Sequence, residues 1–214
     1  FPNAAVQELC LKAYDRSRAG GAKAIVNSIS ELRWEMLELA RISPCRFILM
    51  ASERVENGRR IANKTAADVH ATAARMARRM LEADLGLTLD DLFVDVSVGP
   101  IGADTEGFTR MAVDAIGMIG SDPALAGMHM SVGLSNISVM LPKEASDGSP
   151  LKQQIESAFL TLAVPNGLDT ALATAGRGYE RLSDDNLVMR GVREAMALDG
   201  IDAVLRIREI YQPD

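Results

Sequence analysis

The stretch "HMSVGLSNISVMLP", residues 129–142, begins like a buried strand and then changes character. Methionine, valine and leucine alternate with other residues in its first half, as on one face of a strand. Ser135 and Asn136 follow where the strand should end, and a proline then stops further pairing. A side-chain amide at this point either caps local structure or contacts a ligand.

Similar short apolar runs alternate with longer segments that have a 3.6-residue period. Further strands are predicted at 22–30, 45–52, 91–101 and 168–176. Helices are predicted at 31–40, 65–83, Phe108–Ile119, Leu151–Leu162, 184–198 and 201–210, with a polar loop at 53–65. Near-continuous apolar strands are typical of a parallel sheet covered by helices on both faces. The alternation of strand and helix predicts βαβ units and an α/β fold.

Two architectures fit this pattern, an open doubly wound sheet and a (β/α)8 TIM barrel. No GxGxxG follows the first strand and no GxxxxGK[ST] occurs, so the nucleotide-binding forms of the open sheet lack their signature. Polar residues instead recur near the carboxyl ends of the strands, where barrel enzymes build their sites. These residues are Asn27, Ser52, Asp95, Asn136 and Thr174. The sequence therefore favours the barrel.

The strand count does not reach the eight that a barrel needs. Five strands are predicted, and the opening "FPNAAVQELCLKAY" has the character of a loop that enters a helix. Complete barrels typically have about 250 residues, whereas this sequence has 214. We therefore expect residues 1–214 to be one barrel domain that lacks its first two βα units and its third strand.

Composition argues against several classes of partner and site. The formal net charge is −6, without the basic stripe that binds phosphates, so nucleic acid is not expected as a partner. No run of about 18 apolar residues occurs, so we expect no membrane association and a cytoplasmic location. Cys10 and Cys45 belong to no CxxC pair and are expected to be free, buried thiols. His70 and His129 lie in no metal-binding motif, so no metal site is predicted.

Asn27, Asp95 and Asn136 have apolar neighbours and are expected to be buried. An unpaired buried charge is strongly destabilising, and an unpaired buried amide costs about 1–3 kcal/mol. Each side chain could be satisfied by backbone groups of its neighbours or by a ligand, and the residues alone leave both open. If the three face one barrel mouth, their donors and acceptors suit a flat heterocycle with N–H and carbonyl edges better than a phosphate.

Several of these motifs resemble those of the pterin-binding methyltransferases. These are the methyltetrahydrofolate:corrinoid protein methyltransferases, which are related to the folate module of cobalamin-dependent methionine synthase. "GLSNISVMLP" (133–142) and "IESAFLTLAVPNGLD" (155–169) resemble their seventh-strand signature and the helix after it. "AIVNSIS" (24–30) is similar to their fourth-strand Asn motif, and "LFVDVSVGPIGAD" (92–104) to their sixth-strand Asp motif.

The opening "FPN" resembles the residues that follow the family's third strand. The family carries another pterin-binding aspartate there, and it would fall immediately before Phe1. The resemblance to the family thus extends over essentially the whole length of the sequence.

The resemblance implies a TIM barrel with a pterin in its mouth. Asp95 would accept hydrogen bonds from the 2-amino and N3–H groups, and Asn27 would bond another part of the pyrimidine edge. Asn136 would be the catalytic residue, near the methyl-bearing N5, with Ser135 beside it in the binding site. The substrate would be tetrahydrofolate or methyltetrahydrofolate. A partner corrinoid protein would carry cobalamin, and the enzyme would be a homodimer.

Two alternatives remain open at this point. The sister family, dihydropteroate synthase, shares the barrel and the pterin pocket, but its seventh strand resembles GxSRK. The corresponding residues here are Gly133–Ile137, and the lysine is absent. The other alternative is a non-catalytic pterin-binding or docking subunit of a corrinoid methyltransferase complex, which would keep the same Asn and Asp residues.

Overall fold

The structure is a computed structural model that describes residues 3–213. The α-helices are α1 (Ala4–Ala13), α2 (Ala66–Leu81), α3 (Phe108–Gly120), α4 (Leu151–Ala163), α5 (Leu187–Met196) and α6 (Gly200–Glu209). The strands are β1 (Ala24–Ile29), β2 (Cys45–Met50), β3 (Glu53–Glu56), β4 (Arg59–Ala62), β5 (Leu92–Asp95), β6 (His129–Gly133) and β7 (Thr170–Leu172). None of the helices in the described range has the length and apolar character needed to cross a bilayer.

Five strands form one sheet in the order β1-β2-β5-β6-β7, and β3 and β4 form a separate two-stranded sheet. β1 pairs with β2, β2 with β5 and β5 with β6, each time in parallel. In this sheet the strand order follows the chain without a reversal. A doubly wound sheet, by contrast, reverses its strand order at a switch point. The parallel α/β fold predicted from the sequence is therefore confirmed.

The chain divides into two compact units, of which the first runs to Val96 and includes Met118–Ser131. The central strands of this unit are buried, and α2 packs its apolar side inward. The face predicted for α2 is fully buried at Val69, Ala73, Met76 and Met80. Thr65 caps the helix, because its side chain accepts a hydrogen bond from the Asp68 N–H. The 3.6-residue pattern therefore predicted both the helix and its buried face correctly.

A buried carboxylate holds together the amino ends of β1, β2 and β5 in the first unit. The Asp91 side chain is 1% exposed, and its Oδ1 lies 2.5 Å from Lys23 Nζ and 3.8 Å from Arg46 Nε. Asp91 Oδ2 accepts hydrogen bonds from the backbone N–H and the hydroxyl of Thr88, at 3.2 and 3.3 Å. The Thr88 N–H bond is one half of a capping box on the 3₁₀ segment that leads into β5, and the Asp91 N–H, which donates to the Thr88 side chain, is the other half.

The second unit consists of Ser97–Gly117 and the chain from Val132 onward. As predicted, α4 turns an apolar face inward, with Ile155 and Phe159 fully buried. Gly191 lies inside α5, where glycine normally destabilises a helix. A Cβ at Gly191 would come within 2.5 Å of the side chain of Ile210, which is fully buried. The glycine is therefore explained by close packing.

The predicted polar loop at 53–65 is instead a β-hairpin made of β3 and β4. Its tip is Asn57-Gly58, with φ angles of 51° and 72°. An Asn-Gly pair with both φ angles positive is the typical two-residue hairpin turn, because its twist matches that of the flanking strands. The charged composition of this segment hid the strands from a reading based on apolar runs.

Other predicted elements are shorter or different in type. The helix predicted at 31–40 is a 3₁₀ helix over Trp34–Arg41, in a short segment between the end of β1 and Pro44. β5 ends at Asp95, because Ser97 has a positive φ of 58° that a continuing strand does not allow. β6 ends at Gly133 and β7 covers only Thr170–Leu172.

The expectation of two buried thiols is wrong for one of them. Cys10 is exposed on α1, whose buried residue is Leu11, whereas Cys45 is buried at the start of β2. Burial and the nearby Asp91 carboxylate raise the pKa of the Cys45 thiol to about 11, partly offset by Lys23. Cys45 is therefore a protonated core residue at neutral pH.

Candidate functional site

Asn27 lies in β1, and its side chain is exposed. Its Cα pairs with that of Ile48 on β2, and the register is interrupted between Asn27 and Ile29. The peptide bond to Ser28 is cis. The backbone carbonyl of Asn27 accepts a hydrogen bond from Gln7 Nε2 at 2.7 Å. The expectation that this amide is buried is therefore wrong, because it lies at the surface of the first unit.

Asp95 is the last residue of β5 and is half-buried, so the expectation of burial holds only in part. It stands opposite Met50 of β2 and Ser131 of β6. The valines on either side of Asp95 in the sequence are fully buried. Its backbone carbonyl accepts a hydrogen bond from the Ala51 N–H at 3.1 Å. Asp95 thus marks the carboxyl end of a buried strand, two strands away from Asn27 in the sheet order.

Asn136 belongs to the 3₁₀ segment Leu134–Ser138 in the second unit, which follows β6 directly. Leu134 and Ile137 are fully buried and anchor the segment, whereas Asn136 is exposed and not buried as expected. Gly133 is the N-terminal cap residue of the segment, and no side chain caps it. The amide of Asn136 is therefore held outward by its buried neighbours and does not cap this turn.

Gly133 makes room for the Asn136 side chain. A Cβ at position 133 would lie 2.9 Å from Asn136 Nδ2, closer than real Cβ contacts allow. Gly133 has φ −78°, a value that any residue adopts. An alanine at position 133 would therefore shift the exposed Asn136 amide and would not strain the backbone.

Ser135 contacts the chain that follows β7. Its Oγ lies 3.1 Å from Thr174 Oγ1, and both residues are at least partly exposed. The backbone N–H of Thr174 in turn donates to the Tyr179 hydroxyl at 3.2 Å. Ser135 thereby connects the Asn136 segment to residues 174–179.

Glu156 is a fully buried carboxylate on α4 that the sequence reading did not identify. Its Oε1 accepts hydrogen bonds from Ser138 Oγ, at 2.5 Å, and from Arg177 Nη1. Its Oε2 accepts a hydrogen bond from the Tyr179 hydroxyl at 2.9 Å. Burial and the hydrogen bond to Glu156 raise the pKa of Tyr179, so this hydroxyl stays a donor at neutral pH. We refer to Glu156, Ser138, Arg177 and Tyr179 as the Glu156 cluster.

Sequence reasoning missed the Glu156 cluster because its members are far apart in the chain. Ser138 and Tyr179 lie 18 and 23 residues from Glu156. The available signal was the position of Glu156, which directly follows the core residue Ile155 on α4. A charge at that position requires a buried partner, but no local pattern identifies which one.

Within the part of the chain that the structure describes, no group of three His, Cys, Asp or Glu side chains is arranged to hold a metal ion. His70 lies on α2 and its Nε2 is 2.8 Å from Asp122 Oδ2. The backbone N–H of Ala124 and the His70 ring both lower the pKa of Asp122. His70 is thus engaged in a local contact of the first unit.

The four predicted site residues fall into two groups. Asn27 and Asp95 lie on strands of the first unit, and Ser135 and Asn136 share one segment of the second unit. The aspartate expected before Phe1 cannot be placed, and Phe1 and Pro2 lie outside the described residues. The convergence of Asn27, Asp95 and Asn136 on one ligand stays a prediction.

A comparison with protein-family models gives a match to the family described as pterin binding enzyme, over residues 3–172. The match includes every strand of the main sheet and all four predicted site residues. It ends before Arg177 and Tyr179. No curated protein matches the chain.

Proposed function

This chain belongs to the family of pterin-binding enzymes, and on that premise we propose that it transfers a methyl group between N5 of a tetrahydropterin and a corrinoid carried by a partner protein. The family includes both dihydropteroate synthases and the folate-binding modules of methyltransferases. Membership therefore establishes a pterin-binding enzyme domain, and the choice of reaction depends on the residues of the site.

One observation favours methyl transfer: the segment after β6 presents an exposed amide and carries no cation. Leu134–Ser138 contains neither lysine nor arginine, and Asn136 is its exposed polar residue. A synthase has to stabilise a departing diphosphate, for which Arg and Lys are suited. Arg177, which is linked to this segment through Glu156 and Ser138, has its charge paired with the buried Glu156 carboxylate. The segment therefore suits a reaction in which no diphosphate departs, as in methyl transfer.

In this proposal, the exposed Asn136 amide acts at N5. The N5–methyl bond breaks, the methyl group moves as a cation to an electron pair of the acceptor, and N5 keeps the bonding pair and takes up a proton from solvent water. The carbonyl oxygen of a side-chain amide accepts a hydrogen bond from protonated N5 and so stabilises the charge that develops there. Asn136 cannot supply the proton itself, because an amide is not an acid in this pH range.

Asp95, Asn27 and Ser135 have binding roles in this proposal. A carboxylate accepts two hydrogen bonds side by side, which matches the 2-amino and N3–H edge of a pterin. The position of Asp95 at the end of a buried strand supports this role, and the exposed Asn27 amide is free to face another part of the same ring. Ser135 precedes Asn136 in the same segment, which supports a binding role next to it.

A corrinoid held by a separate protein supplies the cobalt nucleophile when it docks. The residues of this chain fit that arrangement, because the partner needs open access to N5. Asn136 is exposed, and Met140, shortly after it, has 85% of its surface exposed. Tetrahydrofolate is the expected pterin. As in related enzymes, we expect a homodimer.

We further propose that the five strands of the main sheet form part of the wall of a (β/α)8 barrel. Residues 1–214 would then belong to one pterin-binding domain. The support is the sheet order, which follows the chain without reversal. Consecutive parallel strands with helical connections are the repeating unit of that barrel. In such a barrel, the carboxyl ends of all strands face the same mouth, where Asn27, Asp95 and Asn136 would meet one ring.

The test is a methyl-transfer assay of the whole protein with methyltetrahydrofolate and free cob(I)alamin, monitored by loss of the cob(I)alamin absorbance. Asn136→Ala and Asp95→Ala should each lower the rate by at least about tenfold. Asn166→Ala, which removes an exposed amide elsewhere, is the control for Asn136→Ala, and Asp122→Ala, which removes another half-buried carboxylate, is the control for Asp95→Ala. Equal rates in the site variants and their controls would refute the assigned roles.

The same preparations separate methyl transfer from the alternatives. Condensation of a dihydropterin diphosphate with p-aminobenzoate, without methyl transfer, would identify a synthase. Binding of a folate without turnover in either assay, together with co-purification of a corrinoid subunit, would identify a docking subunit.

A further inference from the structure

We propose that Glu156 is a positioning residue that fixes the Leu134–Ser138 segment and, through it, the amide of Asn136. The inference rests on the proposed role of Asn136, which Glu156 itself does not contact. Glu156 acts through two chains of hydrogen bonds that reach the segment on both sides of Asn136. A substrate-facing amide needs such support, since misplacement by about 1 Å can cost two orders of magnitude in rate.

The first chain reaches the carboxyl-terminal side of Asn136. Ser138 is the last residue of the 3₁₀ segment, and its Oγ lies 2.5 Å from Glu156 Oε1. The same Oγ lies 3.3 Å from the backbone carbonyl of Ser135. A hydroxyl has one proton, which serves the shorter contact to the carboxylate. Ser138 is 3% exposed, so water does not replace this bond.

The second chain reaches the amino-terminal side of Asn136. Glu156 Oε2 accepts from the Tyr179 hydroxyl, which accepts from the Thr174 N–H. Thr174 Oγ1 then lies 3.1 Å from Ser135 Oγ. Together with the Ser138 contact, this closes a ring of hydrogen bonds around Ser135–Ser138. One buried carboxylate is therefore linked to the segment directly at Ser138 and, through Tyr179 and Thr174, at Ser135.

The negative charge of Glu156 is what lets one side chain serve three donors. An ionised carboxylate only accepts hydrogen bonds, and it has room for about four. Ser138, Arg177 and Tyr179 all donate to it, and Arg177 compensates the charge. A glutamine in the same place would turn one acceptor atom into a donor that faces other donors. The cluster therefore depends on the charge and not only on the shape of the side chain.

Neighbouring contacts on α4 provide a matched control. The hydroxyl of Ser157, also fully buried, accepts a hydrogen bond from the Glu180 N–H at 3.3 Å. This contact joins α4 to the same loop as Tyr179 but does not lead to the Asn136 segment. Ser138→Ala and Ser157→Ala thus remove the same group from the same unit and differ in whether the Asn136 segment loses a bond.

The experiment measures kcat and KM for methyltetrahydrofolate together with the thermal midpoint, in the whole protein. Glu156→Gln and Ser138→Ala should lower kcat by about tenfold and about fivefold, with KM changed by less than about threefold. Ser157→Ala should keep kcat within about twofold at a comparable loss in midpoint. If Ser138→Ala, which keeps the buried charge pair, affects kcat no more than Ser157→Ala, Glu156 is merely structural and the inference is wrong.

A second readout does not depend on activity. The side-chain amide resonances of Asn136, in protein labelled with ¹⁵N-asparagine and assigned with Asn136→Ala, should shift or broaden in Ser138→Ala and stay unchanged in Ser157→Ala. This result would hold even if the wild-type protein transferred no methyl group, so the two proposals fail separately. Unchanged Asn136 resonances in Ser138→Ala and Glu156→Gln would overturn the positioning role.

Discussion

Two buried carboxylates, one in each unit, show how similar local chemistry serves different ends. Asp91 in the first unit and Glu156 in the second have side chains that are 1% and 0% exposed, and each binds a cation and at least one hydroxyl. The partners of Asp91 lead back to the backbone and to the amino ends of the strands. The partners of Glu156 lead to an exposed segment that carries the candidate catalytic amide.

Both carboxylates have their charge compensated and their oxygens hydrogen-bonded. Asp91 and Glu156 differ in which part of the structure their partners connect to. A buried ion pair contributes little net stability compared with apolar packing, but removal of one member leaves the other unsatisfied. Both carboxylates should therefore be sensitive to substitution. In variants that still fold, only the substitution of Glu156 should lower the rate of methyl transfer.

The largest effect is expected from Asp91→Asn. The change removes the charge that faces Lys23 while keeping the shape of the side chain. We expect a loss of about 2–4 kcal/mol in the free energy of unfolding, because a partly buried cation loses its partner. The measurement is the urea midpoint. The methyl-transfer rate per folded molecule should stay within about twofold of wild type.

Asp90→Asn is the matched control for this change. Asp90 precedes Asp91 directly, contacts Arg46 and His129, and is exposed. Its substitution should leave the urea midpoint close to wild type, because water screens exposed pairs. A rate that falls in Asp91→Asn as steeply as in Glu156→Gln would remove the contrast between the two carboxylates.

The second effect concerns pH and the thiol beside Asp91. The pKa of Cys45 is about 11 in the folded chain, compared with about 8.5 in an unfolded chain. Between these values the unfolded chain has released the thiol proton and the folded chain has not, so stability falls as pH rises. Below the unfolded pKa the contribution is fully present. The loss across the window is on the order of 3 kcal/mol.

Cys45→Ala isolates this contribution, since other groups also titrate in that range. The difference in unfolding free energy between wild type and Cys45→Ala should shrink as pH rises from 8 to 11. In Asp91→Asn the decline should end at lower pH, because the Asp91 charge helps to raise the Cys45 pKa. A difference that is independent of pH would contradict the raised pKa.

The sequence predicted the elements whose signal is local. The periodic apolar residues of α2 and α4 placed those helices. The motifs around Asn27, Asp95 and Asn136 indicated a pterin-binding enzyme, which the comparison confirms, while their resemblance to the methyltransferases stays a prediction. The hairpin was missed although its Asn-Gly turn is in the sequence, because its strands are charged. Glu156 could not be assigned a role, since that depends on partners brought together only by the fold.

Exposure of the two asparagines was also predicted wrongly, for a physical reason. Apolar neighbours in the sequence suggested burial, but alternate residues of a strand point to opposite faces, so exposed Asn27 follows buried Val26. In the Asn136 segment, Leu134 and Ile137 are buried on one side and the amide lies on the other. The apolar neighbours in the sequence therefore predicted correctly which residues are buried, but they did not predict the direction of the amide side chains.

The third prediction tests the amide directly through Gly133→Ala. The added Cβ would lie 2.9 Å from Asn136 Nδ2, so the amide has to move, while φ −78° remains allowed for alanine. We expect a change in stability within about 1 kcal/mol and a fall in kcat of about fivefold. In the Asn136→Ala background the same change should lower kcat by less than about twofold, because the clash is gone. Equal effects in both backgrounds would show that Gly133 acts on something other than Asn136.

The smallest effect is expected from Thr174→Val, which removes the contact between Thr174 and Ser135 and keeps the backbone bond to Tyr179. Thr174 is exposed, so water can replace its hydroxyl, whereas nothing replaces the buried hydroxyl of Ser138. The stability should change by less than about 0.5 kcal/mol and kcat by less than about threefold, a smaller fall than in Ser138→Ala. The urea midpoint and kcat of Thr174→Val and Ser138→Ala show whether the contact at Ser135 or the contact at Ser138 contributes more to positioning Asn136. A larger loss of kcat in Thr174→Val would mean that the exposed side, through Ser135, does most of the positioning.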